Sequence, residues 1–406
     1  MKGRIIFVFV ITYFLLSVFF PFLMMLEGNY YLQLNFNGIL ILNFIFIFIG
    51  AFLLRPKIEI ENLEKGLLLL TIIVFINLLI HGIYKEEWIH FSYILSIALL
   101  AIVLKNIEYP KNFLALNLYI PIIFALSILS HLLLAIINGY GKLGYTNECF
   151  INPGHFSSFL MIFSPIFFSV SYFKKIENKI DYIFKITCWL ICILIFFIVV
   201  FNNTRAGWIG AILISSLYHW IWQLRKDKEK RISISMKVNT ILRIGFLFLL
   251  FTISAYFLKK DSSDGRFLIW KLSVKIIKDN PLTGVGFNRF EAIYNLYQSD
   301  YFKTHSDSKA AWLADNVLVA YNDFLQLIVE LGILALLPIF YFLFNTMKHV
   351  SFIFKKNLED ISIKDMSFTA LSIVVFLQLF FSYPLRITEI TNAIFINFLY
   401  LSIPEE

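Results

Sequence analysis

Three short segments hold most of the side chains that could do chemistry. In FNNTRAGWIG (201–210), Arg205 follows Asn202, Asn203 and Thr204 and precedes the small residues Ala206 and Gly207. An arginine beside small residues can bring its bidentate fork to a phosphate; a cation at a helix end can equally be a snorkelling side chain. In SSDGRFLIWKLSVKIIKDN (262–280), Ser263 or Asp264 can cap a helix. Phe267, Trp270, Val274 and Ile277 recur at helical spacing opposite Lys271, Lys275 and Lys278. This pattern predicts an amphipathic surface helix with Arg266 in its first turn, where free backbone N–H groups also favour an anion. In LADNVLVAYNDFLQLIVELG (313–332), Asp315, Asn322, Gln326 and Glu330 form one stripe if placed on a single helix, with Asp323 beside it and Tyr321 pointing away. A carboxylate there costs at least about 2.5 kcal/mol if it faces lipid. The stripe is therefore expected to face a cavity, or to form hydrogen bonds between helices.

Other candidates carry less. NPLTGVGFNRF (280–290) has two glycines but lacks the GxGxxG order and a preceding strand, so it reads as a turn, with Arg289 a further possible anion contact. His155 and His305 fall on the same side as the arginines, whereas His131 lies within an apolar run and His219 near the opposite side. No HxxxH or histidine–carboxylate spacing supports a metal site. The three cysteines, Cys149, Cys188 and Cys192, make no CxxC pair or disulfide framework. No cofactor is expected.

The elements that must hold these groups are hydrophobic. The 406 residues are 59% hydrophobic and only 15% charged, against roughly 25% charged in a soluble domain. Apolar runs near 5–26, 38–54, 67–82, 88–104, 113–137, 156–173, 183–201, 206–223, 241–258, 317–346, 366–382 and 388–403 are each read as a membrane span. The fold class is thus an all-α polytopic membrane protein of about 12 transmembrane helices, one membrane domain over 1–406. The N-terminal run lacks a small-residue cleavage site and is expected to be retained.

The net charge of +8 is not one patch, so nucleic acid is not an expected partner. It sits in alternate connectors: the N-terminus, 55–66, 105–112, 174–186, 225–243 and 347–365 are basic, whereas 27–37, 83–87, 138–155, 202–205 and 383–387 carry at most one Lys or Arg. The positive-inside rule then predicts cytoplasmic termini and an external segment at 259–316, between spans nine and ten. In a double-membrane bacterium that is a periplasmic loop.

Two arginine motifs, a surface helix and a polar helix entry on one face of such a bundle resemble the O-antigen ligase family. The likeness is specific over about 195–345, through NNTRAGWIG, GRFLIWKLSVKIIKDNPLTGVGFNRF and ADN…YNDFLQLIVELGI, and weak at GYTNECFINPGHFSSFL (144–160). The resemblance implies a GT-C-like inner-membrane enzyme, metal-independent and inverting. It would move a glycan from undecaprenyl diphosphate to an acceptor: lipid A core, a glycan repeat or a protein. A more distant alternative is a transporter of a lipid-linked sugar. It implies that Arg205 and Arg266 grip the diphosphate. It also implies that Tyr321-Asn322-Asp323 stands where the family usually has a histidine followed by Asn. The proton acceptor then falls to Asp323 or Asp315, or is dispensable, or the activity has changed. Arg289, Asp315, Asn322, Gln326 and His305 are the remaining candidates for substrate contact.

Overall fold

The structure is a computed structural model that describes residues 12–13, 32–53, 58–107, 153–202, 204–226, 260–306, 308, 311, 314–355 and 361–402. The spans expected at 113–137 and 241–258, and nearly all of that at 5–26, lie outside this set. The described residues form helices α1 (Leu32–Ala51), α2 (Asn62–His81), α3 (Lys85–Lys105), α4 (Pro153–Phe173), α5 (Lys179–Phe201), α6 (Arg205–Lys226), α7 (Lys260–Asp279), α8 (Phe290–Thr304), α9 (Asp323–Leu331), α10 (Leu336–Lys355), α11 (Ile363–Phe381) and α12 (Thr388–Ser402). Among the described residues, six stretches are long and apolar enough to cross a membrane: Asn62–His81, Lys85–Lys105, Gly154–Phe173, Lys179–Val200, Asp323–Ile353 and Ile363–Phe381. The chain is an integral membrane protein by these segments.

The bundle is organised around α4, which packs against α5, α6, α11 and α12. Ser157, Ser158, Ser164, Ser169 and Ser171 are buried along it; small residues of this kind let helix backbones approach closely where lipid supplies no hydrophobic drive. On α6, Gly207 and Gly210 face it. A Cβ at Gly207 would stand 2.5 Å from Thr204 Oγ1 and 3.5 Å from Ser157 Cβ. By contrast, α2 and α5 leave rows of large apolar side chains exposed, among them Ile72, Leu79, Leu190 and Phe197, the surface expected to meet lipid tails.

The two ends of the bundle differ. One carries lysine-rich contacts: Lys105 with Glu61, and Lys174 with Asp181 at 2.8 Å. There α5 and α11 start on side-chain caps, Asn178 accepting from Asp181 N–H and Ser362 from Asp365 N–H. The other end gathers the α2–α3 turn, the starts of α4 and α6, the end of α11 and the described residues of 260–322, and the candidate residues lie here.

The span expected over 317–346 is interrupted. α9 stops at Leu331, a 3-10 turn covers Gly332–Ala335, and α10 starts afresh. The cause is a close crossing of two backbones. Val285 and Gly286 N–H donate to the Val329 and Glu330 carbonyls at 3.0 Å each, and Ile333 N–H donates to the Pro281 carbonyl at 2.9 Å. Gly284 and Gly332 both sit at φ +65°, and a Cβ on Gly284 would come 2.5 Å from the Glu330 carbonyl. The glycine segment is therefore the turn expected, and it also breaks the next span.

Gly284→Ala is expected to cost at least about 2 kcal/mol from the left-handed backbone alone, before the clash. Gly265→Ala, in mid-helix with open space around its Cβ, should instead stabilise by about 0.5–1 kcal/mol. Thermal unfolding of the detergent-solubilised variants checks both signs.

Candidate functional site

α7 begins at Lys260, so Ser263 and Asp264 lie inside it and Arg266 is in its second turn rather than its first. The expected help from free backbone N–H groups is absent, since those belong to the first four residues of a helix. The buried face of α7 is Ile269, Leu272 and Ile276, against α8 and α9. Phe267 and Val274 remain exposed, so the helix presents two apolar edges where the sequence pattern suggested one. Sequence reading missed α8, although Phe290, Ile293, Tyr294, Tyr297 and Tyr301 share a face at helical spacing and pack on α7.

Arg266 is half-buried. Its Nη1 donates to the Phe381 carbonyl at 3.0 Å, and its guanidinium lies 4.7 Å from the centre of the Tyr321 ring. Burial pulls its pKa below the ordinary arginine value, an effect countered by the neighbouring Tyr321 and Tyr383; arginine nonetheless stays a cation. Among the described residues no carboxylate pairs with it. The other two arginines described at this end are neutralised. Arg289 Nε donates to Glu87 Oε1 at 2.6 Å, its Nη2 reaches the His81 and Gly82 carbonyls, and it lies over the Tyr84 ring. Glu87 raises its pKa. The anion contact expected of Arg289 is thus already made by a protein carboxylate.

Arg386, which the sequence reading used only to count charge, donates to Glu330 Oε2 at 2.7 Å and to Asn288 Oδ1 at 3.1 Å. Glu330 is fully buried and also accepts from Gln326 Nε2 and Asn288 N–H. The expected stripe is corrected accordingly. Asp315 is exposed on the non-helical approach 314–322, Asn322 caps α9 by accepting from Leu325 N–H, and only Gln326 and Glu330 share one helix face. They face a hydrogen-bond network rather than a cavity. The isolated arginine on the short 383–387 connector was the signal available for Arg386.

Tyr321 does not point away. It precedes α9 with φ +53°, outside the straight helix that reading assumed, and its ring meets Tyr383 edge-on at 5.2 Å. Asp323 is buried and its Oδ2 accepts the Leu385 N–H at 2.9 Å, holding the Pro384–Arg386 turn. His305 is exposed and stacks on Tyr301 at 4.1 Å, and Lys271 lies over that same ring. Arg205 opens α6, and its side chain lies outside the described set. Just before it, Asn202 at the end of α5 donates through Nδ2 to Ser157 Oγ of α4 at 3.1 Å. Two residues before Ser157, His155 Nε2 stands 2.6 Å from Tyr383 Oη. The structure therefore brings Arg266, Tyr321, Tyr383 and His155 together, with the start of α6 beside them.

Breaking the Glu330–Arg386 pair leaves one buried charge alone. Glu330→Gln should destabilise by about 3–5 kcal/mol, and the double variant Glu330→Leu/Arg386→Met should recover only part of that loss in a thermal-unfolding cycle, because Gln326 and the Asn288 N–H lose their acceptor.

A comparison with curated proteins gives no match to this chain. Residues 190–340 match the family model described as O-antigen ligase. That interval holds Arg205, Arg266, Tyr321 and the whole glycine-turn crossing, and it ends before His155's partner Tyr383 and before Arg386. Over residues 190–340, less than half of its length, the chain is similar to the O-antigen ligase family.

Proposed function

We propose that the protein transfers a glycan from undecaprenyl diphosphate to an acceptor at the periplasmic face of a bacterial inner membrane, as an O-antigen ligase with lipid A core as acceptor. The observation that carries this reading is Arg266: a half-buried cation among aromatic rings with, among the described residues, no carboxylate beside it, where Arg289 and Arg386 each have one. A partly desolvated guanidinium without an acid favours an anionic ligand. The donor diphosphate supplies that anion, and its charge grows as the glycosidic bond breaks. Fixed cations aimed at a developing negative charge lower the barrier without a metal ion.

Arg205, at the start of α6, is the second member of the grip. Just before it, Asn202 at the end of α5 is tied to α4, on the end of the bundle that also holds Arg266. Orientation follows from charge: this end has the connectors poor in lysine and the opposite end has the lysine-rich ones, so the site faces outward and both termini inward. In this reading about twelve spans form a single membrane domain, with 259–316 as an external insert. Asp315, Asn322, Gln326 and His305 remain outside the grip: Asn322 and Gln326 have structural partners, and Asp315 and His305 belong to the exposed surface that an acceptor would approach. A glycan repeat or a protein hydroxyl could replace lipid A core as acceptor without altering the donor grip.

The interrupted helix at Gly332 favours a second reading, since transporters bind cargo at broken helices. Against it, the backbone groups freed at the break are taken by residues 281–286, which leaves them nothing to offer a cargo.

Arg205→Ala and Arg266→Ala should each lower transfer by about 100-fold or more, and Arg266→Lys should restore little because it lacks the bidentate fork. The measurement is surface glycan in the source bacterium lacking its own copy and complemented with each variant. The polymer lost in that strain, lipopolysaccharide, capsule or glycoprotein, identifies the acceptor. Normal glycan with both arginines replaced overturns the reading.

A further inference from the structure

His155 and Tyr383 come from parts of the chain outside the segment that matches the O-antigen ligase family, yet they complete its cluster of aromatic rings. His155 stands in the first turn of α4, and Tyr383 in the connector between α11 and the Pro384–Arg386 turn. Their polar atoms are 2.6 Å apart and their rings perpendicular, with centroids 5.1 Å apart. Both are half-buried, so the pair borders the site rather than the core. From Tyr383 the contacts run to Tyr321 at 5.2 Å and from Tyr321 to Arg266 at 4.7 Å. A cation thus stands at one end of a row of rings and an imidazole at the other.

The row is held by a strained residue. Tyr321 has φ +53°, a conformation that L residues with large side chains rarely adopt, at a cost of about 1–3 kcal/mol. Its neighbours are clamped on both sides. Ala320 N–H donates to Gln326 Oε1 and its carbonyl accepts from Trp270 Nε1, while Asn322 caps α9. The clamp sets the Tyr321 ring between Arg266 and Tyr383, and those two groups in turn lie within electrostatic reach of each other.

Glycan transfer to a hydroxyl needs a proton acceptor as well as a cation. Asp323, a sequence candidate for that role, uses Oδ2 to accept the Leu385 N–H and is buried. We infer that Tyr383 and His155 form the proton-accepting relay of the transfer reaction, a role that rests on the glycosyltransferase reading above. The acceptor hydroxyl gives its proton to Tyr383 Oη as the Tyr383 proton passes to His155 Nε2. The freed acceptor oxygen bonds to the anomeric carbon. The bond from that carbon to the diphosphate breaks, and its electron pair leaves on the diphosphate held by Arg266. His155 ends the step as imidazolium and returns the proton to water. Tyr383 is the group that meets the acceptor; His155 acts through it, in the arrangement of a reacting hydroxyl backed by a base at hydrogen-bond distance.

The test uses membrane vesicles carrying the full chain with their endogenous donor and acceptor. Tyr383→Phe keeps the ring and removes the hydroxyl, and His155→Gln keeps a hydrogen-bonding side chain without a base. Both should unfold at the parent temperature and transfer about 100-fold more slowly. His155→Ala should regain transfer when imidazole is added, and Tyr383→Phe should not; a packing role for the histidine gives no such rescue. Parent-like transfer by Tyr383→Phe and His155→Gln, with Arg266→Ala inactive, overturns the relay and leaves the donor grip standing. Absence of imidazole rescue in a folded His155→Ala protein also overturns it. An active Arg266→Ala variant instead overturns the glycosyltransferase reading itself.

Discussion

Everything at the functional end depends on one buried carboxylate. Glu330 has no exposed surface, and its two oxygens accept from Arg386, Gln326 and the Asn288 backbone. A charge in that position is tolerable only when it is paired and fully hydrogen-bonded. Satisfying it draws together four pieces of chain far apart in sequence: the glycine turn, α9, the 384–386 turn and, through Asn77 donating to the Thr283 carbonyl, α2. Gln326, fixed by Glu330, then fixes Ala320 and with it the strained Tyr321. The chemistry proposed for Arg266 and Tyr383 is one step removed from Glu330 but rests on it.

The arginines are sorted by their partners rather than by their positions. Arg289 and Arg386 each hold a glutamate and join pieces of backbone, so their charges serve the framework. Arg266 faces a ring and a carbonyl. Aromatic faces attract a guanidinium without cancelling its charge, which keeps the cation in place and available to an anion. The sequence motifs already set Arg266 above Arg289, and acid pairing gives that order a physical reason.

Helices, the crowding of candidates at one end and the turn at 280–290 were legible in the sequence, because hydropathy and breaker residues are local signals. What was not legible depended on contacts across long sequence separations. The interruption at Gly332 comes from a loop some 50 residues earlier pressing on it, so the apolar pattern of 317–346 carries no trace of it. Reading that stretch as one helix then misplaced Asp315 and Tyr321 together. His155 carried little weight in the sequence because its hydrogen-bond partner Tyr383 lies 228 residues away. The start of α7 was set too late because Ser263 and Asp264 resemble caps, and local capping chemistry gave no reason to look upstream.

The described stretch between α7 and α9 is fastened unevenly. Its 281–289 half is bound into the bundle by the Arg289–Glu87 and Arg386–Glu330 pairs, the Asn77 contacts and the glycine crossing. Its 314–317 part is held mainly by single hydrogen bonds from exposed or half-exposed side chains, such as Gln298 to the Asp315 carbonyl and Asn316 to Glu291. Segments with few buried contacts open at far lower free energy than those locked in a core. The stretch therefore has a fixed edge at the glycine turn and, at 314–317, a loose one whose opening costs least and which leads directly into Tyr321.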